Sequence, residues 1–92
     1  MNRDSAIRRV AVVLFDGFTV LDAYGPIQAF GACRRLQADG RQLRFYRIFT
    51  LGEQSGPVRS GEGPASQVNY GFADAPPWDI LVVPGGFGTR PW

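Results

Sequence analysis

Ninety-two residues, 45% hydrophobic and 13% aromatic, suffice for one small domain with a buried core and exclude wholesale disorder. The net charge is +2; all ten basic residues are arginines, and their one local cluster (Arg34, Arg35, Arg41, Arg44, Arg47) is too sparse for a nucleic-acid footprint and reads as a solvated helix end and strand edge. With no His and a single Cys, the sequence rules out His-based catalysis within these residues, a zinc site and an intrachain disulfide. It points instead to a reducing, cytoplasmic setting. No apolar run approaches the ~18 residues of a membrane span, so no membrane partner is expected.

In chain order, Arg8 to Phe15 (RRVAVVLF) is apolar on both faces, which suits a strand covered on both sides in a parallel sheet. DGFT then turns the chain. Apolar residues at Leu21, Tyr24, Ile27, Phe30, Ala32 and Leu36 recur at helical spacing. Thr19 or Asp22 is placed to cap this helix. Pro26 is tolerated only in a first turn, so the predicted helix begins at Asp22 or Gly25 and ends before Gly40. Leu43 to Gly52 (LRFYRIFTLG) reads as a second strand, making a right-handed βαβ unit. Gly52 to Gly71 holds five glycines and two β-prone pieces, PVRS and SQVNY, a small hairpin outside the main sheet. Pro76 and Pro77 hold a loop, ILVV is a third buried strand, and PGGFG is the turn after it.

These elements define an α/β chain with a doubly wound parallel sheet. In such a sheet the second strand lies on one side of the first and the third crosses to the other. Ligands bind at that switch point, outside the carboxyl ends of the strands. The segments there are FDGFTVLD and PGGFG. A carboxylate, Asp22 or as second choice Asp16, is thereby expected beside a glycine turn whose backbone N–H groups can approach a ligand without an intervening Cβ. Each element also has a plain structural use. Glycines after a strand commonly just make the βα turn, and this turn lacks the G-x-G-x-x-G and G-K-[ST] phosphate patterns. Asp22 alone serves most simply as a helix cap. Asp74 and Asp79 read as turn formers. Cys33, late in the helix among apolar neighbours, reads as a buried structural thiol.

Taken together, VAVVLFDGFTVLDAYGPIQAF, GPVRSGEG and FADAPPWDILVVPGGFGTR resemble the ThiJ/PfpI superfamily of the class I glutamine amidotransferase-like fold, and most closely its isonitrile hydratase-like branch. The marks are Leu21-Asp22 followed by Gly25-Pro26, and Pro84-Gly85-Gly86 followed by Gly88-Thr89-Arg90. The resemblance implies the N-terminal portion of a flavodoxin-like or Rossmann-like sheet, with about three core strands, one main helix and a small hairpin, incomplete alone. It makes residues 1–92 the N-terminal part of a single domain, with no second domain. It assigns catalytic roles to Asp22, the acid beside the family's thiol, and to Gly86, whose backbone N–H serves the site. Gly85 and Gly88 become substrate-binding residues. In isonitrile hydratases a cysteine thiolate attacks the isonitrile carbon, an Asp manages protons, and water releases an N-substituted formamide. A carboxyl beside a thiolate in a partly buried cleft is expected to keep a proton to donate. The resemblance calls for a small-molecule substrate and no cofactor or metal.

One departure is large. The family's nucleophilic cysteine lies downstream of the PGG turn on a strand-to-helix elbow, and Cys33 does not match it. The chain resembles the N-terminal half of a longer enzyme, to be completed by further or complementary polypeptide. ILVV would otherwise present an apolar sheet edge, a predicted association site, and superfamily members commonly form homo-oligomers. A second function class is a noncatalytic ligand-sensing domain, as in AraC-type regulator fusions or degenerate paralogues. Those regulators generally lack the Leu-Asp-x-x-Gly-Pro pattern. A protease or glyoxalase-like member is a third.

Overall fold

The computed structural model describes residues 7–86. Its elements are β1 (Arg8–Val13), α1 (Val20–Ala32), β2 (Arg34–Leu36), β3 (Gln42–Arg44), β4 (Tyr46–Gly52), β5 (Gly56–Arg59), β6 (Ala65–Val68), β7 (Tyr70–Gly71), a 3-10 turn at Phe72–Asp74, and β8 (Ile80–Val82). The main sheet has the order β7-β4-β1-β8, with all neighbours parallel. β1 is the central strand. Val10 pairs with Ile48 on one side and Ile80 on the other, and Val12 with Thr50 and Val82.

The Val-rich run takes the centre because it is apolar on both faces. Val10 and Val12 pack with Leu14, Phe18, Ala23 and Val68 in one buried cluster, which α1 covers with Val20, Ile27 and Phe30. Ala11, alternating to the opposite face, packs with Phe49 and Leu51. A partly buried hydrogen-bonded clasp ties β4 to the segment before β7. The Thr50 amide donates to Asn69 Oδ1 (2.9 Å), the Asn69 amide to Thr50 Oγ1 (2.8 Å), and the Thr50 hydroxyl to the Gln67 carbonyl (2.7 Å).

The hairpin expected outside the main sheet is β5–β6, paired from Gly56↔Val68 to Arg59↔Ala65. Other details differ from the sequence reading. The helix starts at Val20, so Pro26 lies in its second turn and has no N–H to give the Asp22 carbonyl. Of the predicted stripe, Ile27 and Phe30 pack on the core, joined by Val20 and Ala23, whereas Leu21 (77%) and Tyr24 are exposed. The helix ends at Ala32, before Gly40 as expected but early enough to leave Leu36 outside it. Asp39-Gly40 turns a second hairpin, β2–β3, with Gly40 at φ 89°. The single predicted strand from Leu43 to Gly52 is therefore two: β3 pairs back on β2, and β4 joins β1. SQVNY likewise divides, since β7 leaves the hairpin to add a short fourth strand to the main sheet.

Four arginines of the local cluster ride on the β2–β3 hairpin. Arg34 donates to the Gly31 and Cys33 carbonyls at the end of α1, Arg35 lies 4.9 Å over the Phe45 ring, and Arg41 pairs with Asp39. Cys33 is exposed at the helix C-terminus, not the buried thiol expected from its neighbours, because the helix stops there and its next residues peel into an exposed strand.

Ser60, just past β5, is 3% exposed, and its Oγ has no hydrogen-bond partner among the described residues. An unpartnered buried hydroxyl costs roughly 1–3 kcal/mol. Ser60→Ala is therefore expected to leave stability unchanged or raise it by about 1 kcal/mol, read from urea unfolding. A loss of that size would show that the hydroxyl is bonded.

Candidate functional site

β1 lies between β4 and β8, so the topological switch falls between the carboxyl ends of β1 and β8, as the sequence predicts. The connector from β1 to α1, residues 14–19, emerges there and is held from both sides. Phe18 forms an isolated parallel bridge with Ser60 and an antiparallel one with Gly86. On the hairpin side, the Gly17 amide donates to the Arg59 carbonyl (2.8 Å) and the Gly61 amide to the Phe18 carbonyl (2.7 Å). On the β8 side, the Thr19 amide donates to the Gly85 carbonyl (2.8 Å).

The decisive contact is between the two segments singled out from sequence. The Gly85 amide donates to Asp22 Oδ2 at 3.2 Å, across 63 positions of chain. Asp22 sits in the first turn of α1, and its carboxylate leans toward the glycine turn. Thr19-Val20-Leu21-Asp22 has the spacing of a capping box, in which residue N3 reaches back to the N-cap amide. Here that box is opened. The Gly85 peptide is inserted between its two ends, taking the Thr19 amide on its oxygen and giving its own N–H to Asp22. Thr19 makes no side-chain cap and Asp22 lies inside the helix facing Gly85, so neither capping option in the sequence is realised.

The glycines are fitted to this approach. A Cβ on Gly85 would lie 3.2 Å from Asp22 Oδ2. Gly86 has φ 150°, and a Cβ there would lie 2.7 Å from Phe18 Cα and closer still to the Gly17 carbonyl oxygen. Pro84, before them, is buried. Gly88, like Thr89 and Arg90, lies outside the described residues.

Asp16, the second-choice carboxylate, is turned elsewhere. Its Oδ1 accepts the Arg59 amide at 3.1 Å, which fastens the connector to β5. Asp79 is a strand-entry anchor: its amide donates to the Arg9 carbonyl and its Oδ2 accepts the Arg9 amide, both at 2.8 Å. The partly buried cleft expected around Asp22 is not built by residues 7–86, for Asp22 is exposed. Among the described residues no group of three or more His, Cys, Asp or Glu could hold a metal ion. No helix among them is long and apolar enough to cross a membrane. A groove of about 620 Å³ lies away from the switch point, along Tyr24, Ile27, Arg44, Arg47, Ser66 and Gln67, where the Tyr24 hydroxyl hydrogen-bonds Ser66 Oγ.

Sequence reasoning missed Glu62. Its Oε1 accepts the Val20 amide at 3.0 Å, the first amide of α1. The signal available was the turn Ser60-Gly61-Glu62-Gly63, which reads as hairpin punctuation until its fold-back onto the helix is known.

A ThiJ/PfpI family protein from Pseudomonas syringae superposes on this chain with a TM-score of 0.72 at 26% identity, covering 94% of this chain and 34% of that one. The fold is that of the ThiJ/PfpI superfamily. A DJ-1 superfamily protein from Agrobacterium tumefaciens matches with a TM-score of 0.60 at 23% identity, over 88% of this chain and 39% of that one. In sequence, an uncharacterized protein in the cpoL 5′ region of Streptomyces lividans is 36% identical over 78 residues. No family model matches. This chain spans about half the length of the Streptomyces relative (51%) and about a third of the Pseudomonas ThiJ/PfpI protein (34%).

Proposed function

We propose that this chain carries the acid–base part of a cysteine-dependent ThiJ/PfpI-type site, and that the reaction is hydration of an isonitrile to an N-substituted formamide. The observation that supports it is the hydrogen bond from the Gly85 amide to the Asp22 carboxylate at the switch point. That contact joins the two segments carrying the resemblance, Leu21-Asp22 with Gly25-Pro26 and Pro84-Gly85-Gly86. Residues 1–92 then form the N-terminal part of one domain. The nucleophilic cysteine is supplied by polypeptide outside them, which packs on the side of β8 away from β1. Among the described residues β8 pairs with β1 only, and Leu81 within it and Val83 just after it are 46% and 61% exposed.

The chemistry balances without a redox step. The thiol S–H adds across the terminal carbon of R–N≡C: sulfur bonds to carbon, and a proton arrives on that carbon to give a thioformimidate, R–N=CH–S–Cys. Water then adds to the C=N bond. Collapse expels the thiol and leaves R–NH–CHO. Asp22, beside the site where the thiol must stand, delivers the proton to carbon and takes one from the attacking water. The Gly85 amide holds the Asp22 carboxylate in place rather than pointing at substrate. Gly86 seats the turn against Gly17 and Phe18, an approach that only a residue without Cβ can make there.

The test is formation of N-cyclohexylformamide from cyclohexyl isocyanide by the protein expressed from its whole reading frame. Turnover abolished by Ser at the downstream cysteine is the expected result. No formamide from the intact protein would reject the reading and favour a noncatalytic, ligand-sensing role for the same pocket.

A further inference from the structure

We infer that Glu62 is the positioning residue for Asp22: by taking the first amide of α1, it leaves the Asp22 carboxylate to reach the Gly85 turn. The catalytic consequence rests on the function proposed above; the geometry does not.

A helix begins with amides that lack intrahelical acceptors, and nearby Ser, Thr or Asp side chains normally meet them. α1 begins with Thr19 at the N-cap and Asp22 at the third position, both suited to that task. Neither performs it. Thr19 makes no side-chain cap, and Asp22 Oδ2 accepts from Gly85 instead. The acceptor at the Val20 amide is Glu62 Oε1, at 3.0 Å, brought from 42 positions away by the β5–β6 turn.

Two backbone hydrogen bonds hold that turn against the connector, and a third closes the turn itself. The Gly17 and Gly61 amides bond across the gap, to Arg59 and Phe18. Within the turn, the Ser60 amide donates to the Pro64 carbonyl at 2.9 Å. Glu62 is thus fixed at the helix start from the side opposite Gly85. Without it, the Val20 amide would draw the nearest local acceptor, and Asp22 is the charged one in that turn. The hairpin outside the main sheet acquires a purpose: its tip releases the site carboxylate from a structural duty.

The experiment uses the 15N-labelled protein and three variants, Glu62→Ala, Glu62→Asp and Glu62→Gln. The pH response of the Gly85 amide proton shift reports its bond to the Asp22 carboxylate. Gln keeps an acceptor at the same reach, so the response is retained. Asp keeps the charge but falls one methylene short, so the response falls at least about threefold, as it does in Ala. In the same series kcat for isonitrile hydration falls about fivefold in Asp and is retained in Gln, with KM unchanged in both. A cap that merely stabilised the helix would lower the melting temperature while the Gly85 response stayed whole, and that result overturns the inference. So does a response lost in Gln. Should Glu62→Ala fail to fold, the Asp and Gln pair decides. If the wild-type protein hydrates no isonitrile yet the Gly85 pattern holds, the function fails and Glu62 keeps its role.

Discussion

Gly86→Ala is expected to destabilise the protein by at least about 3 kcal/mol in urea unfolding, or to expel the turn after β8 from its seat on the β1–α1 connector. Two costs combine. The residue has φ 150°, a conformation that L side chains rarely adopt. The new Cβ would also lie 2.7 Å from Phe18 Cα, with the Gly17 carbonyl nearer still, and both neighbours are backbone that cannot rotate away. Those neighbours are themselves held: the Gly17 amide bonds Arg59, and Phe18 is 1% exposed in the core. Gly85→Ala is the internal control. There φ is ordinary, and the Cβ meets only the end of the Asp22 side chain at 3.2 Å, so the cost stays below about 1 kcal/mol while the Gly85–Asp22 bond lengthens. Equal, small losses in the two variants would show that the glycine turn does not lie against the connector.

The main architecture was legible because hydrophobic patterning encodes it. VAVV has no polar face, and only the centre of a parallel sheet accepts that; the structure puts it there, with β4 and β8 on either side. The convergence of Asp22 with the PGG turn followed from that topology, since strands on opposite sides of β1 bring their carboxyl ends to one crevice. Where patterning was ambiguous the reading slipped. Apolar residues at Leu21, Tyr24 and Ile27 fit a helical stripe as well as Val20, Ala23 and Ile27 do, and only packing against Val10 and Val12 chooses between them. A Gly after a helical stretch suits a helix stop, but Asp39-Gly40 is also a strong hairpin signal, and it turns β2 into β3. Pro26 favours a first-turn place, whereas burial of the helix face outweighs the one amide that it removes.

The site was half legible for a related reason. Asp22 and the glycines carry local signatures, a carboxylate at a helix start and bare backbone after a strand. Glu62 carries none: its role depends on a hydrogen bond between residues 42 apart, which no local spacing announces. The opened capping box is similar. Thr19 and Asp22 have the right spacing to cap their own helix, and only the arrival of the Gly85 peptide diverts them.

Asp22→Asn carries the largest expected effect on rate. Asparagine has the same shape and keeps a carbonyl oxygen for the Gly85 amide, so the turn stays seated and stability changes by less than about 1 kcal/mol. It can neither donate an acid proton to the isonitrile carbon nor take one from water. A positioned general acid–base contributes about 10²- to 10⁴-fold, and that is the expected fall in kcat, with KM little changed because the carboxylate acts in the transition state. Asp16→Asn, whose side chain faces the Arg59 amide, should leave kcat within about twofold. The measurement that bears most directly on Asp22 as the acid–base of a shared pocket is therefore the rate of N-cyclohexylformamide formation by the Asp22→Asn protein, made from the whole reading frame and verified as folded. A hundredfold or greater loss is the predicted result; a rate equal to wild type would contradict it.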